Sequence, residues 1–117
     1  MTARFDLVTL DSPDTEVIAR FWSDAAGLHE VEREDVDRWI VLADPGGSRR
    51  LGIQRGVTIV GSIHLDLACS PETFEEELRR LVRLGAQLLG DARREPYGSI
   101  VNLADPDGNR FDLCAYR

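Results

Sequence analysis

Ile63-His64-Leu65-Asp66-Leu67-Ala68-Cys69-Ser70-Pro71-Glu72 is the stretch that decides the fold, because the chain contains it twice in outline. Phe5-Asp6-Leu7-Val8-Thr9-Leu10-Asp11-Ser12-Pro13-Asp14 runs on the same plan: an alternating strand pattern, then Ser-Pro, then a carboxylate. The two Ser-Pro pairs stand 58 apart (70 − 12), and Gly27 recurs as Gly85 at the same spacing (85 − 27). Further on, Trp39-Ile40-Val41-Leu42-Ala43-Asp44-Pro45 recurs as Ile100-Val101-Asn102-Leu103-Ala104-Asp105-Pro106, now 61 apart (100 − 39). A three-residue difference in a surface loop accounts for the change, and such connections tolerate insertion.

Each copy reads strand, helix, three strands. Ser12 and Ser70 suit helix N-caps with Pro at the first helical position, where its missing N–H costs nothing. Asp14 and Glu72 then bring a carboxylate to the positive helix end. Val17, Ile18, Phe21, Trp22 and Ala25 form one apolar stripe, and Phe74, Leu78, Leu81 and Val82 form the other. These stripes superpose at 57 (Val17 on Phe74, 74 − 17) rather than 58, a slip with no explanation in the sequence. Gly27 and Gly85 fit helix C-termini.

Strands are expected near 28–33, 37–43 and 49–55 in the first copy, and near 86–90, 97–104 and 109–115 in the second. The acidic run Glu32 to Asp37 reads as an exposed hairpin tip. Asp44-Pro45-Gly46-Gly47 and Asp105-Pro106-Asp107-Gly108-Asn109 read as tight turns. The expectation is therefore an α+β fold: two tandem βαβββ modules making a curved, barrel-like mixed sheet with helices outside. It is a single domain over residues 1–117, with module one over 4–55, a linker at 56–60 and module two over 61–117.

Composition sets bounds on function. A chain of 117 residues can bury about two thirds of its unfolded surface, enough for a core without disulfides or a structural metal. No apolar run approaches the roughly 20 residues that span a bilayer, and the N-terminus lacks a signal-peptide block, so a cytoplasmic address is expected. The net charge of −7 opposes nucleic acid and anionic membrane as partners. All 14 basic residues are Arg, which rules out Schiff-base chemistry by lysine. Cys69 and Cys114 make neither a zinc motif nor a redox pair, and read as buried or cavity-facing free thiols.

Strand parity sorts the remaining polar residues. Phe5 and Leu7, Leu51 and Ile53, Ile63, Leu65 and Leu67, and Phe111 and Leu113 face the helices. The opposite face collects Asp6, Gln54, His64, Asp66, Arg110 and Asp112. A wet face of an antiparallel sheet would look the same. Two curved units that share this face would instead enclose a small-molecule cavity.

At these residues the chain resembles the vicinal oxygen chelate superfamily, which includes glyoxalase I, bleomycin-resistance proteins and extradiol dioxygenases. The motifs are Asp11-Ser12-Pro13-Asp14, Ala19-Arg20-Phe21-Trp22 with Gly27, His64-Leu65-Asp66-Leu67, Leu84-Gly85-Ala86, and Leu103 through Phe111. Together they cover essentially the whole chain. The resemblance implies a homodimer, and a divalent ion held at positions occupied here by Asp6, Gly52, His64 and Asp112. Gly52 offers no side chain, and Asp6 stands where His is usual.

His64, Asp112 and Asp6 are therefore the candidate metal ligands, with His64 and Asp112 also the candidate catalytic pair. Gln54, Asp66, Arg110 and Trp39 are the candidate ligand contacts, although Arg110 would equally suit a salt bridge and Trp39 a dimer surface. One divalent ion of Mn, Fe, Ni or Zn, or no cofactor, fits this donor set. Two functions follow: a metal-dependent lyase, isomerase or dioxygenase, or a metal-free protein that sequesters a drug or metabolite. The acidic charge favours a cationic ligand in the second case.

Overall fold

A computed structural model describes residues 5–61 and 64–116, and divides the chain into two compact units, Met1–Thr58 and Ile59–Arg117. The first unit contains β1 (Val8–Ser12), α1 (Thr15–Ala26), β2 (His29–Glu34), β3 (Trp39–Ala43) and β4 (Arg49–Arg55). Its sheet has the order β1-β4-β3-β2, with β1 parallel to β4 and the other pairs antiparallel. The second unit contains β5 (Leu65–Ala68), a 3₁₀ turn (Pro71–Thr73), α2 (Phe74–Leu84), β6 (Gln87–Leu88), β7 (Arg93–Glu95), β8 (Gly98–Ala104) and β9 (Arg110–Tyr116). Its five-stranded sheet has the order β5-β9-β8-β6, and β7 also pairs with β8.

The fold is thus α+β with one helix per unit. The strands form two sheets rather than one barrel. The strand expected at 86–90 is only β6, and β7 is a further short strand that was not expected; both pair with β8. Among the described residues, no helix is long and apolar enough to cross a membrane.

Each sheet buries the face expected to meet its helix. In the first unit Ile18, Phe21 and Trp22 of α1 are buried with Ile40, Leu42 and Ile53 of the sheet, and α1 contacts both β3 and β4. In the second, Phe74 and Leu81 of α2 are buried with Leu103, Phe111 and Leu113. Each such side chain contributes about 1.5–3 kcal/mol on leaving water.

Three local expectations are corrected. The first strand begins at Val8, where pairing to Leu51 begins, and not at Phe5. Val8 and Leu10 turn inward, while Phe5 is exposed, so the parity expected for Phe5 and Leu7 is reversed. Ile63, expected inward on the matching strand, lies outside the described residues.

Next, Asp14 rather than Ser12 caps α1, its Oδ1 accepting from the Val17 amide at 3.3 Å. Ser12 Oγ instead accepts from the Asp14 amide at 3.1 Å, one step upstream. Ser70 does precede a helical turn with Pro71 first, but that turn is 3₁₀.

Last, Val17 and Val82 are exposed, and the buried stripes run through Ile18, Phe21, Trp22 and Ala25 in α1 and through Phe74 and Leu81 in α2.

The turns are built by Asp side chains. Asp105 is buried, and its Oδ1 accepts from the amides of Asp107 (3.0 Å) and Asn109 (2.8 Å), which closes the β8–β9 hairpin. Asp44 does the same for Ser48 at 3.0 Å. These hairpins set the register that places the polar residues described next.

Candidate functional site

The β8–β9 hairpin pairs residue numbers that sum to 214, so Ala104 faces Arg110, Asn102 faces Asp112 and Ile100 faces Cys114. The parallel β5–β9 pair sets Asp66 beside Asp112. Asp112 therefore stands mid-sheet on the face away from α2, with Asn102 on one side and Asp66 on the other.

His64, Asp66 and Asp112 are brought together: one donor atom from each lies within 4.8 Å of the others. His64 Nε2 is 3.7 Å from Asp66 Oδ1 and 3.8 Å from Asp112 Oδ2. Both distances exceed hydrogen-bond reach, so His64 and Asp112 do not form a proton-sharing pair here.

Asp112 is occupied by other partners. It is only 3% exposed. Arg110 spans it, with Nε 3.2 Å from Oδ1 and Nη2 3.3 Å from Oδ2. Asn102 Nδ2 donates to Oδ1 at 2.7 Å, and Asn102 Oδ1 accepts from Arg93 Nη1 at 2.9 Å. Burial pushes the Asp112 carboxyl up, but the Arg110 and Asn102 hydrogen bonds outweigh it and hold the group below the usual carboxylate range.

The first unit lacks the matching donors. Cross-strand pairing sets Thr9 beside Gly52 and Val41 beside Gly52, and places Gln54 between Asp11 and Trp39. The Trp39 indole lies on Gly52: a Cβ at that position would fall 2.2 Å from Trp39 Cη2. The position that corresponds to Asp112 thus carries no side chain because the Trp39 ring fills its space. Gln54 is exposed on the same face.

Asp6 lies before β1, and its Oδ1 accepts from Arg49 Nε at 3.0 Å. It borders an open depression lined with Phe5, Gly47, Ser48 and Arg49. By strand register it is also not the counterpart of His64. Val8 corresponds to Leu65 (65 − 8 = 57), so the counterpart of Asp66 is Thr9, and Asp6 falls out of step with His64.

Asn102 and Arg93 were not singled out from the sequence. Asn102 had a readable signal, being polar within the apolar run Ile100 to Ala104 and ten residues from Asp112 across a five-residue turn. Arg93 had none, since its short strand does not stand out from the surrounding polar sequence.

The sequence matches the glyoxalase-like domain family over residues 7–114. The chain belongs to that family. This glyoxalase-like chain also resembles a glyoxalase-related enzyme from Fulvimarina pelagi, with 26% identity, a TM-score of 0.77, and coverage of 96% of this chain and 87% of that one. A glyoxalase/bleomycin resistance protein/dioxygenase family enzyme from Burkholderia phytofirmans PsJN shares the fold at 18% identity and a TM-score of 0.76, covering 98% and 100%. The fosfomycin resistance protein FosX of Listeria monocytogenes does so at 18% identity and a TM-score of 0.80, covering 100% and 96%. Comparison with curated protein sequences finds no match.

The metal that the family resemblance implies fits this glyoxalase-like site poorly. Three donors are close enough to share an ion. Yet Asp112, the buried one, already carries a guanidinium across both oxygens, and a divalent ion would have to displace that charge or sit against it.

Proposed function

We propose that this glyoxalase-like protein binds a small molecule on the polar face of its second unit, without a resident metal ion. The observation that supports this reading is the Arg110–Asp112 pair. A carboxylate neutralised and oriented in this way is a fixed part of the binding surface rather than an open ligand arm. His64 and Asp66, both exposed on the same face, are the groups left to meet a ligand. Arg110 keeps part of its guanidinium exposed and borders them. Separately, on the first unit's own sheet, Trp39 over Gly52 offers a second, aromatic surface with Gln54 beside it.

A second reading is favoured by the proximity of His64, Asp66 and Asp112. In it, one divalent ion of Mn, Fe, Ni or Zn sits at this cluster and serves a lyase, isomerase or dioxygenase reaction. A FosX variant of this fold has been solved with Mn(II) and 1S,2S-dihydroxypropylphosphonic acid. Asp6 takes no part in this version, because Arg49 holds it. The proposal keeps the homodimer that the family resemblance implies, which gel filtration checks, and the cytoplasmic address expected from the sequence.

Thermal denaturation across Mn, Fe, Ni, Zn and Mg salts separates the two readings. The metal-free reading expects no saturable rise in melting temperature with any ion. A saturable rise that is lost in His64→Ala supports the metal-dependent one instead.

A further inference from the structure

Asp66 and Asp112 are direct neighbours on the parallel pair β5–β9, so two carboxylates stand side by side on one face of the second sheet. Like charges in register repel, and the fold offsets only one of them. Arg110 spans Asp112, whereas among the described residues Asp66 meets only His64, Nε2 to Oδ1 at 3.7 Å. Arg93 is held by Asn102 and Glu95 and brings no second cation to Asp66. Two carboxylates against one guanidinium leave a single negative charge, and the Asp66 side chain that carries it is 58% exposed.

The three acceptor groups are also spaced for one kind of cation. His64 Nε2 lies 3.7 Å from Asp66 Oδ1 and 3.8 Å from Asp112 Oδ2, and the three residues offer atoms all within 4.8 Å of one another. Around a divalent ion with bonds of about 2.1 Å, neighbouring donors lie only about 3.0–3.4 Å apart. Around an ammonium nitrogen with hydrogen bonds of about 2.8 Å, tetrahedral directions set the acceptors about 4.6 Å apart. Closing that spacing to 3.7 Å bends each bond by only about 13°, well within hydrogen-bond tolerance. The cluster is therefore too wide for a metal ion and suits three bonds from one nitrogen.

We propose that His64, Asp66 and Asp112 receive a primary ammonium group, with one N–H directed to each residue. A neutral imidazole presents one ring nitrogen as an acceptor, and each ionised carboxylate accepts strongly. The single positive charge of the ligand matches the single uncompensated charge of the cluster. Arg110 cancels Asp112 and fixes its position, so a monocation completes the balance that a dication would exceed. The inference rests on the metal-free reading of this face, and it names the ligand's chemical class.

The test is an amide NMR titration of the full chain, near neutral to mildly alkaline pH in buffer with a chelator. The probes are butylammonium and butyltrimethylammonium, which keeps the charge but has no N–H to donate. Butylammonium is expected to shift the amides of Asp66 and Asp112 saturably and to bind about tenfold more tightly than the trimethylated compound. Asp66→Asn is expected to weaken it about tenfold at an unchanged melting temperature. Asp11→Asn, which removes the same charge from an exposed position on the first unit, is expected to leave it unchanged. Equal affinities for the two compounds, saturation by neither, or an equal loss in both variants overturns the proposal. Metal content of protein purified without chelator is read separately. Stoichiometric metal that is lost in His64→Ala overturns the metal-free function and the ammonium site with it, whereas failed discrimination in metal-free protein overturns the ammonium site alone.

Discussion

Arg110 lies across Asp112 in a two-point contact, Nε to Oδ1 at 3.2 Å and Nη2 to Oδ2 at 3.3 Å, beneath the two exposed donors His64 and Asp66. The proposal of a ligand surface rather than a metal centre rests on this contact. An arginine is always charged, and its planar fork matches a carboxylate at two points. Removing it should therefore change what the cluster binds.

Arg110→Gln is expected to lower stability by about 1–3 kcal/mol, because Asp112 is left buried with Asn102 as its main donor. The same substitution should raise the affinity for Mn(II), since it frees one carboxylate beside His64 and Asp66. Calorimetric titration of both proteins with MnCl₂ checks the gain. Equal affinities would show that Arg110 does not hold the metal out.

Acid should weaken the protein through Asp112. Its carboxyl is held below the usual range in the fold, so the unfolded chain binds the proton first as pH falls. The Asp112 contribution is complete above the ordinary carboxylate value of about 3.9 and drains away as pH drops from there through the lowered folded value. Denaturant melts between neutral and strongly acid pH should show a shallower acid limb in Asp112→Asn than in the native chain. Parallel limbs would contradict the assignment.

Gly52→Ala should displace Trp39. The new Cβ would meet the far edge of the indole at 2.2 Å, so the ring must move. The expected cost is about 1–3 kcal/mol, with a shift in tryptophan emission that marks the moved ring. Unchanged emission would mean that Trp39 does not rest on Gly52.

At the β2–β3 hairpin tip, Asp35 and Val36 both have positive φ, at 49° and 64°. A β-branched residue is strained there, and Val36 is 84% exposed, so its side chain gains little from packing. The conformation is imposed by neighbours: Arg33 Nη1 donates to the Val36 carbonyl at 2.9 Å, and buried Thr15 donates to the Asp37 carbonyl at 2.6 Å. Val36→Asn should raise stability by about 1 kcal/mol, measurable by chemical denaturation. A loss would show that the tip relaxes.

The repeat made the fold readable in advance. Ser-Pro before each helix, Gly27 and Gly85 after them, and the two Asp-Pro turns are local signals with local causes, and most strands fall within two residues of their expected positions. The errors arise where two strands must agree. Phe5 and Asp6 look like strand residues, but pairing to β4 begins only at Val8, and a half-turn change of phase follows for every side chain before it. The 3₁₀ turn at Pro71 ahead of α2 is likewise not announced by a Ser-Pro pair.

The site was half legible. His64, Asp66, Arg110 and Asp112 share a face by parity alone, and they do meet. That Arg110 pairs with Asp112 depends on side-chain geometry, which alternation cannot supply. Trp39 over Gly52 was hidden for the same reason: the two sit on different strands, and the missing ligand at 52 gives no hint of what fills its place.

Metal analysis by inductively coupled plasma mass spectrometry, on protein purified without chelator, tests the central claim most directly. The account predicts far less than one equivalent of Mn, Fe, Ni or Zn per chain, unchanged in His64→Ala. One equivalent per chain, lost in His64→Ala and in Asp66→Asn, would contradict it.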